Sequence, residues 1–407
     1  MDNNTDMNKD NYKCDKILLN EEFSEALKKT IQEIITRVKY VHYNVTVRKI
    51  TTGGNNFLGE LYEIDIDGET SEKKNENNIF LKRIIQNDDF RIYSIPEVYK
   101  KEAFFYKELG KVFDVLQENV NIPAEDRFKM VKSYEETNNE VIILENLTKK
   151  NFKTMFRMDV MSIEFAKLSI EQLAKLHGLS FVLQKKRPEY FETKIKTIKQ
   201  SMVYDDYWNE FVTKTCELSV SKFNDVTKEK ISKFFEYSLD KYPKYMNGLH
   251  SQIKCLCHGD YKMNNILFKE EDGKITEAIP IDFQQIYFGC PVIDLIYFIY
   301  AASDRDFRKQ HLYYLKDLYY ETLTRFLNYF AIDVSTVCPR DEFEECFKHS
   351  LDYALMYTLY MLQMFFVTDD IPDISKDELL EMKIQVDDRF YDRMQGIVDD
   401  FIDLGVL

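Results

Sequence analysis

Asp260, Asn265 and Asp282 fall within one stretch whose local pattern leaves little choice about how it folds, CHGDYKMNNILFKEEDGKITEAIPIDFQQIYFGCPVIDL from Cys257 to Leu295. KCLC ahead of it reads as an apolar strand that delivers His258, Gly259 and Asp260 onto a loop. Ile266 to Phe268 resumes extended structure, and KITEAIPIDF returns as the second arm of a hairpin with Asp272 and Gly273 at its turn. A hairpin closed there brings Asn265 and Asp282 to the same end. Two oxygen ligands at one point are what a hard cation such as Mg²⁺ requires.

The order Asp, Asn, Asp is that of the catalytic-loop Asp, the catalytic-loop Asn and the metal-binding Asp of kinases. On that reading Asp260 orients an acceptor hydroxyl and takes its proton, and Lys262 neutralises charge on the transferring phosphoryl group. Asn265 and Asp282 hold Mg²⁺ on the phosphates of ATP. His258 braces the loop through hydrogen bonds, and Asp294, inside the apolar helix PVIDLIYF, is expected to be a buried partner of the loop, because an unpaired carboxylate there would be costly.

The upstream half supplies what such a site lacks. A helix is expected over Leu19–Tyr40, opened by Asn20, with Phe23, Leu27, Ile31, Ile34 and Ile35 at helical spacing. Val45–Ile50, TTGGNNFLGE and LYEIDID then read as strand, Gly-rich turn and strand, with Gly53, Gly54 and Gly59 allowing the backbone close to phosphates and Gly54 and Asn55 as candidate contacts. By itself this is more often an ordinary hairpin. A polar loop, GETSEKKNENN, precedes the short strand NIFLKRI with Lys82, and the helix VYKKEAFFYKEL carries Glu102. A kinase uses a Lys on its third strand for the phosphates and a Glu on the next helix to fix it. Lys82 and Glu102 occupy those places, with Arg83 and Lys101 as competitors for register. Residues 126–147 form a hairpin turning at Asn138 and Asn139, and its second strand, VIILENL, leaves the first lobe. Backbone around Glu145 to Leu147 would read adenine, with Leu144 guarding the apolar pocket behind.

From Ser162 onward the chain reads as helical, with His177 in LAKLHG taken as structural. Long helices are expected over Asp306–Phe330 and Glu342–Val367, and 377–404 closes the chain. The expected fold class is α+β and bilobal: a mobile tail at 1–18, an ATP-binding lobe with an antiparallel sheet at 19–147, and a mainly helical catalytic and acceptor-binding lobe at 148–407. A net charge of −15 argues against a nucleic-acid surface. Seven scattered cysteines suit reduced thiols, and the CxC of Cys255 and Cys257 lacks a second nearby ligand pair. The polar N-terminus and the absence of an apolar span point to a cytoplasmic protein with no membrane contact and no obligate protein partner.

Only eight residues, FQQIYFGC, separate Asp282 from the helix at Pro291. A peptide-presenting activation segment does not fit there, so a small-molecule acceptor is expected.

The pieces IFLKRI, EAFFYKEL, VIILENL, LAKLHG, CHGDYKMNNILF, IPIDFQQ and CPVIDLIYF, in this order, resemble the ecdysteroid kinase-like family, also called CHK kinase-like, within the aminoglycoside phosphotransferase and choline kinase group. The resemblance covers Val45 to Phe366. It implies a bilobal kinase-like fold, ATP- and Mg²⁺-dependent phosphorylation of a small-molecule hydroxyl, ecdysteroids as the substrate that named the family, and an insect source. Three places depart from the family's usual pattern: Asn146 in the crossing, Tyr261 and Lys262 in the loop where many relatives have Cys-Trp, and Phe57, Leu58 and Gly59 in the Gly-rich turn. Tyr261 and Lys262 are therefore expected to face the acceptor. The leading expectation is a kinase for a hydroxyl of an apolar acceptor, such as an ecdysteroid or a xenobiotic alcohol in detoxification. A catalytically silent carrier of an apolar ligand, and a kinase for a polar acceptor such as choline or an aminoglycoside, stand as alternatives.

Overall fold

The computed structural model describes residues 24–50, 59–84, 94–368 and 384–407. Helix α1 (Glu25–Val38) is capped by Ser24, whose side chain accepts the Leu27 N–H, so the helix starts four residues later than a cap at Asn20 would place it. Asn20 itself, the tail and the Gly-rich turn lie outside the described residues.

Strands β1 (Tyr40–Ile50), β2 (Gly59–Thr70), β3 (Lys74–Ile84) and β4 (Val141–Glu145) form an antiparallel sheet in sequence order. The polar run expected as a loop is ladder instead: Asp67 pairs with Glu76 and Glu69 with Lys74. Its lack of apolar alternation reflects exposure at this end of the hairpin. Asn75 and Asn77 hold it to β1 by donating to the Tyr40 hydroxyl at 3.1 and 2.6 Å.

Both faces of the inner strands are covered, which explains the unbroken apolar run VIILE in β4. Leu27, Ile31, Ile34 and Ile35 of α1 pack with Ile64, Ile79, Leu81 and Ile143 on one face. On the other face Ile142 and Leu144 join the main core with α2 (Ile95–Phe104) and α3 (Gly110–Asn119). The two-residue period of a strand therefore turns Lys82, between Leu81 and Arg83, away from α1 and into the molecule. Between α2 and α3 the helix widens into a π-turn at Phe105–Leu109.

Past β4 the chain makes a short strand β5 (Phe152–Thr154) and becomes helical: α4 (Ile163–Lys186), the single turn α5 (Pro188–Tyr190), α6 (Asp206–Val220) and α7 (Asp225–Met246). Strand β6 (Cys255–Cys257) pairs with β9 (Tyr287–Gly289), and β7 (Ile266–Glu271) with β8 (Lys274–Pro280) and β5. The β7–β8 turn lies at Asp272 and Gly273, with φ of 51° and 74°. The remainder comprises α8 (Pro291–Ala301), α9 (Arg305–Asn328), α10 (Arg340–Ser350), α11 (Asp352–Met361) and α12 (Arg389–Asp403). The helix expected over Glu342–Val367 is thus two helices meeting at Leu351, followed by a 3₁₀ turn at Leu362–Phe365. Helices α4 and α9 approach closely at Gly178, where a Cβ would lie 2.7 Å from the Phe326 ring. The fold is α+β, an antiparallel sheet lobe followed by a mainly helical one. No helix among the described residues is long and apolar enough to cross a membrane.

Candidate active site

Two anchored pieces meet at a cleft of about 900 Å³. The first is the Lys82 ammonium, only 6% exposed. Its three donors are fully engaged, by Glu102 Oε2 at 2.8 Å, Asp282 Oδ1 at 2.8 Å and Gln284 Oε1 at 2.7 Å. Burial opposes the charge on Lys82, but Asp282 and Glu102 outweigh it and hold the ammonium above its usual pKa. Burial raises Glu102, against the pull of Lys82, whereas Asp282 comes out below the usual carboxylate range because Lys82 overcomes its burial. The competitors for register are used elsewhere: Arg83 bonds Ser24 Oγ at 2.7 Å, and Lys101 bonds Ser201 Oγ at 2.6 Å.

The second piece is the loop after β6. Asp294 on α8, 2% exposed, accepts the His258 N–H at 2.6 Å with Oδ2 and the Gly259 N–H at 3.0 Å with Oδ1. Gly259 must be glycine: its φ is +81° and a Cβ would come within 2.2 Å of Gln285 O. His258 Nε2 contacts Ile281 O at 3.0 Å while Nδ1 accepts the Asp260 N–H at 3.3 Å, which assigns the ring proton to Nε2. The imidazole thus ties the loop to the end of β8, and burial holds it below its usual pKa.

Asp260 is held from three sides. Tyr297 donates to Oδ1 at 2.6 Å, and Asn265 Nδ2 and Lys262 Nζ reach Oδ2 at 2.9 and 2.8 Å. Asn265 also gives an N–H to the Asp260 carbonyl at 3.0 Å and accepts the Ile281 N–H on its own carbonyl at 2.9 Å. The hairpin therefore places Asn265 one residue from Asp282 across the ladder. With the amide nitrogen spent on Asp260, Asn265 Oδ1 and the Asp282 carboxylate, both at the cleft, form a donor set that fits a hard divalent cation. Asp282 takes a left-handed conformation, φ 66°, and Phe283 beside it stacks on Phe105 with ring centroids 3.5 Å apart and planes 9° from parallel. That stack joins the turn at Asp282 to the π-turn after Glu102.

Of the residues singled out in the sequence, Lys82, Glu102, Asp282 and Asn265 line the cleft together with Leu144, Glu145 and Leu147. Asp260 and Lys262 adjoin it through Asn265. Gly54 and Asn55 fall outside the described residues. Tyr261 does not face an acceptor: it is fully buried, and its hydroxyl donates to Ser169 O at 2.5 Å, so the side chain anchors the loop to α4. At the crossing, the N–H groups of Glu145 and Asn146 go to Lys132 O and Asn78 O, which leaves Leu147 as the backbone donor there.

A profile described as the ecdysteroid kinase-like family matches residues 53–331. The chain belongs to the ecdysteroid kinase-like family. No curated protein sequence matches it. Among solved structures, this ecdysteroid kinase-like chain is similar to an ethanolamine kinase of Plasmodium vivax, with 12% identity, TM-score 0.43, and coverage of 89% of this chain and 83% of that one. It is also similar to a choline kinase of Streptococcus pneumoniae, with 13% identity, TM-score 0.39, and coverage of 93% and 99%.

Two residues of the site, Tyr297 and Gln284, escaped the sequence reading, and His177, expected to be structural, has a partner that the sequence did not show. Tyr297 lies three positions after Asp294, on the same face of α8, and that spacing was the available signal. His177 stands behind Asp294, with Nε2 3.2 Å from Oδ2 and Nδ1 2.8 Å from the Tyr319 hydroxyl, so it is structural and still part of the loop's support. Gln284 links Lys82 to Asp282 and carries no signal in sequence beyond its nearness to Asp282.

Proposed function

We propose that this ecdysteroid kinase-like chain is an ATP-dependent small-molecule kinase that transfers the γ-phosphoryl group to a hydroxyl of an apolar acceptor, such as a steroid or a xenobiotic alcohol. The observation that carries the reading is the buried ion pair of Lys82 with both Glu102 and Asp282, which joins the sheet lobe to the loop after β8. Such a pair is expensive to desolvate, and a Lys fixed by a Glu at the cleft is what holding ATP phosphates requires, with the phosphates taking the donors that Asp282 and Gln284 now occupy.

In this reading 19–147 forms the ATP-binding lobe and 148–407 the catalytic and acceptor lobe. Leu147 N–H reads the adenine edge, Leu144 lines the apolar wall, and Lys82 steadies the phosphates. Gly54 and Asn55 would cover the phosphates from above. Asn265 and Asp282 would hold Mg²⁺, which when bound neutralises phosphate charge. Asp260 orients the acceptor hydroxyl and takes its proton as the acceptor oxygen bonds to the γ-phosphorus and the bond to the β–γ bridging oxygen breaks, releasing ADP. Lys262, salt-bridged to Asp260, offsets the charge that develops.

The surroundings of Asp260 favour an apolar acceptor. Tyr297 packs on Tyr357 with ring centroids 4.3 Å apart, and Lys262 Nζ lies 5.5 Å from the Phe365 ring centroid. Aromatic rings packed beside one carboxylate favour a ring-bearing alcohol over a polar acceptor.

The test is a labelled-ATP transfer screen of purified protein against steroid alcohols, plant and xenobiotic alcohols, choline and aminoglycosides. Transfer confined to apolar alcohols supports the reading. Transfer confined to choline or aminoglycosides overturns the acceptor class. No transfer, with tight binding of an apolar ligand, makes the chain a carrier.

A further inference from the structure

The described residues hold two clusters in which an imidazole and two thiols could share an ion, and they differ in one decisive respect. In the cluster of His177, Cys255 and Cys257 both ring nitrogens are already used, by Asp294 and Tyr319, so no lone pair is left for a metal. In the cluster of His250, Cys290 and Cys346 the ligand atoms lie within 4.8 Å of one another, and both ring nitrogens of His250 are shielded from solvent with the Cys346 thiol as the polar group facing them. A buried imidazole turned toward two thiols is a donor set that suits a thiophilic cation.

The sulfur geometry points the same way. Cys290 Sγ and Cys346 Sγ are 3.4 Å apart. Two thiolates on one tetrahedral zinc, each at about 2.3 Å, stand about 3.8 Å from each other. A disulfide needs about 2.05 Å, so these sulfurs would have to close by more than an ångström to form one. The His250 ring is held in place by Tyr245, whose ring meets it edge-on at a centroid distance of 4.5 Å. Ser251 Oγ lies 3.5 Å from Cys346 Sγ, so its hydroxyl is the oxygen at hand for a fourth ligand.

We propose that His250, Cys290 and Cys346 form a binding site for a thiophilic divalent cation of the zinc class. The two thiols lose their protons as the ion binds, and two protons are released for each ion taken up. The three ligands come from separate parts of the chain: His250 from the segment between α7 and β6, Cys290 from the N-terminal cap of α8, and Cys346 from α10. An ion held there pins the start of α8. Four residues farther along that helix stands Asp294, the carboxylate that grips the loop bearing Asp260. Cys290 is fully buried, while His250 and Cys346 are partly exposed, so the cluster lies near the surface.

The test uses the full chain, reduced, stripped with a chelator and confirmed as folded by circular dichroism. Zn²⁺ is titrated in competition with a chromophoric chelator, and Co²⁺ is added separately as a spectroscopic probe. One Zn²⁺ per chain is expected, with Co²⁺ giving thiolate charge-transfer absorption in the near ultraviolet and the visible bands of a four-coordinate ion. Cys346→Ser should weaken Zn²⁺ binding by at least about 100-fold and reduce the charge-transfer band, and His250→Ala should weaken it by roughly tenfold or more. Cys216→Ser, on α6 away from the cluster, serves as the control and should bind as the parent does. Uptake unchanged in Cys346→Ser overturns the site. So does a folded, reduced parent that takes up no Zn²⁺, including the case in which the isolated protein carries a Cys290–Cys346 disulfide and binds nothing once it is reduced. The readout is metal uptake, so failure here leaves the kinase reading untouched, and failure of that reading leaves this one standing.

Discussion

Tyr297 Oη donates to Asp260 Oδ1 at 2.6 Å from within helix α8, one turn beyond the Asp294 that holds the same loop by its backbone. One helix face thus sets both the position of the loop and the orientation of its carboxylate. Oδ2 is shared by Lys262 and Asn265, so the Tyr297 bond fixes which edge of Asp260 an acceptor hydroxyl would meet.

Tyr297→Phe removes that bond and keeps the ring on Tyr357. A charge-assisted hydrogen bond of this kind contributes about 1.5–3 kcal/mol, so kcat should fall by roughly tenfold or more. ATP affinity should stay unchanged, because Tyr297 does not line the nucleotide cleft. An equal rise in the KM for ATP would place the residue elsewhere in the mechanism.

Asp260→Ala and Asp282→Ala should separate chemistry from nucleotide binding. The first should abolish transfer while Mg·ATP binding, followed by calorimetry, survives. The second should weaken Mg·ATP binding as well, since it removes an oxygen from the cation site and a partner from Lys82. A fully active Asp260→Ala protein would remove the base from the proposal.

Asp294→Ala should act on stability. The buried carboxylate satisfies the His258 and Gly259 N–H groups and faces His177, and its loss strands all three without solvent. Buried groups stripped of a charged partner cost about 3–5 kcal/mol, so thermal unfolding should drop by several degrees together with activity. An unchanged melting temperature would mean that water replaces the carboxylate.

Much of this arrangement is legible in the sequence because its signals are local. The spacing of Asn265 and Asp282 about an Asp-Gly turn dictates a hairpin, and Lys82 follows from a strand with a glutamate-bearing helix after it. What stayed hidden depends on three-dimensional packing. Tyr261 looks like a loop residue free to meet a ligand, yet a large apolar ring next to α4 gains more by burial, with its hydroxyl satisfied by Ser169 O. The long β2–β3 ladder was unreadable because a solvated hairpin end needs no apolar period. His177 could be assigned as structural from its apolar neighbours, but its partner 117 residues away could not.

His258 makes the stability of the fold depend on mild acid. Its ring is buried among the Phe283 and Tyr261 rings, with the carboxylates of Asp294, Asp260 and Asp282 facing it and Ile281 O accepting from Nε2. Burial lowers its pKa from 6.5, and the three carboxylates only partly offset that. Above pH 6.5 the folded and unfolded chains are both neutral here, and the residue's full contribution is present. As the pH falls below 6.5 the unfolded chain takes up a proton that the folded chain refuses, so stability declines, by at most about 1.4 kcal/mol per pH unit, until the folded-state pKa is reached. Asp282, whose pKa is depressed from 3.8, adds its own loss only in stronger acid. Urea unfolding at pH 7.5, 6.5 and 5.5 checks this against His258→Gln, which cannot be protonated. The variant should be less stable than the parent at pH 7.5 and should lose less between pH 6.5 and 5.5. Equal losses in the two proteins would assign the acid sensitivity to other histidines and remove His258 as its source.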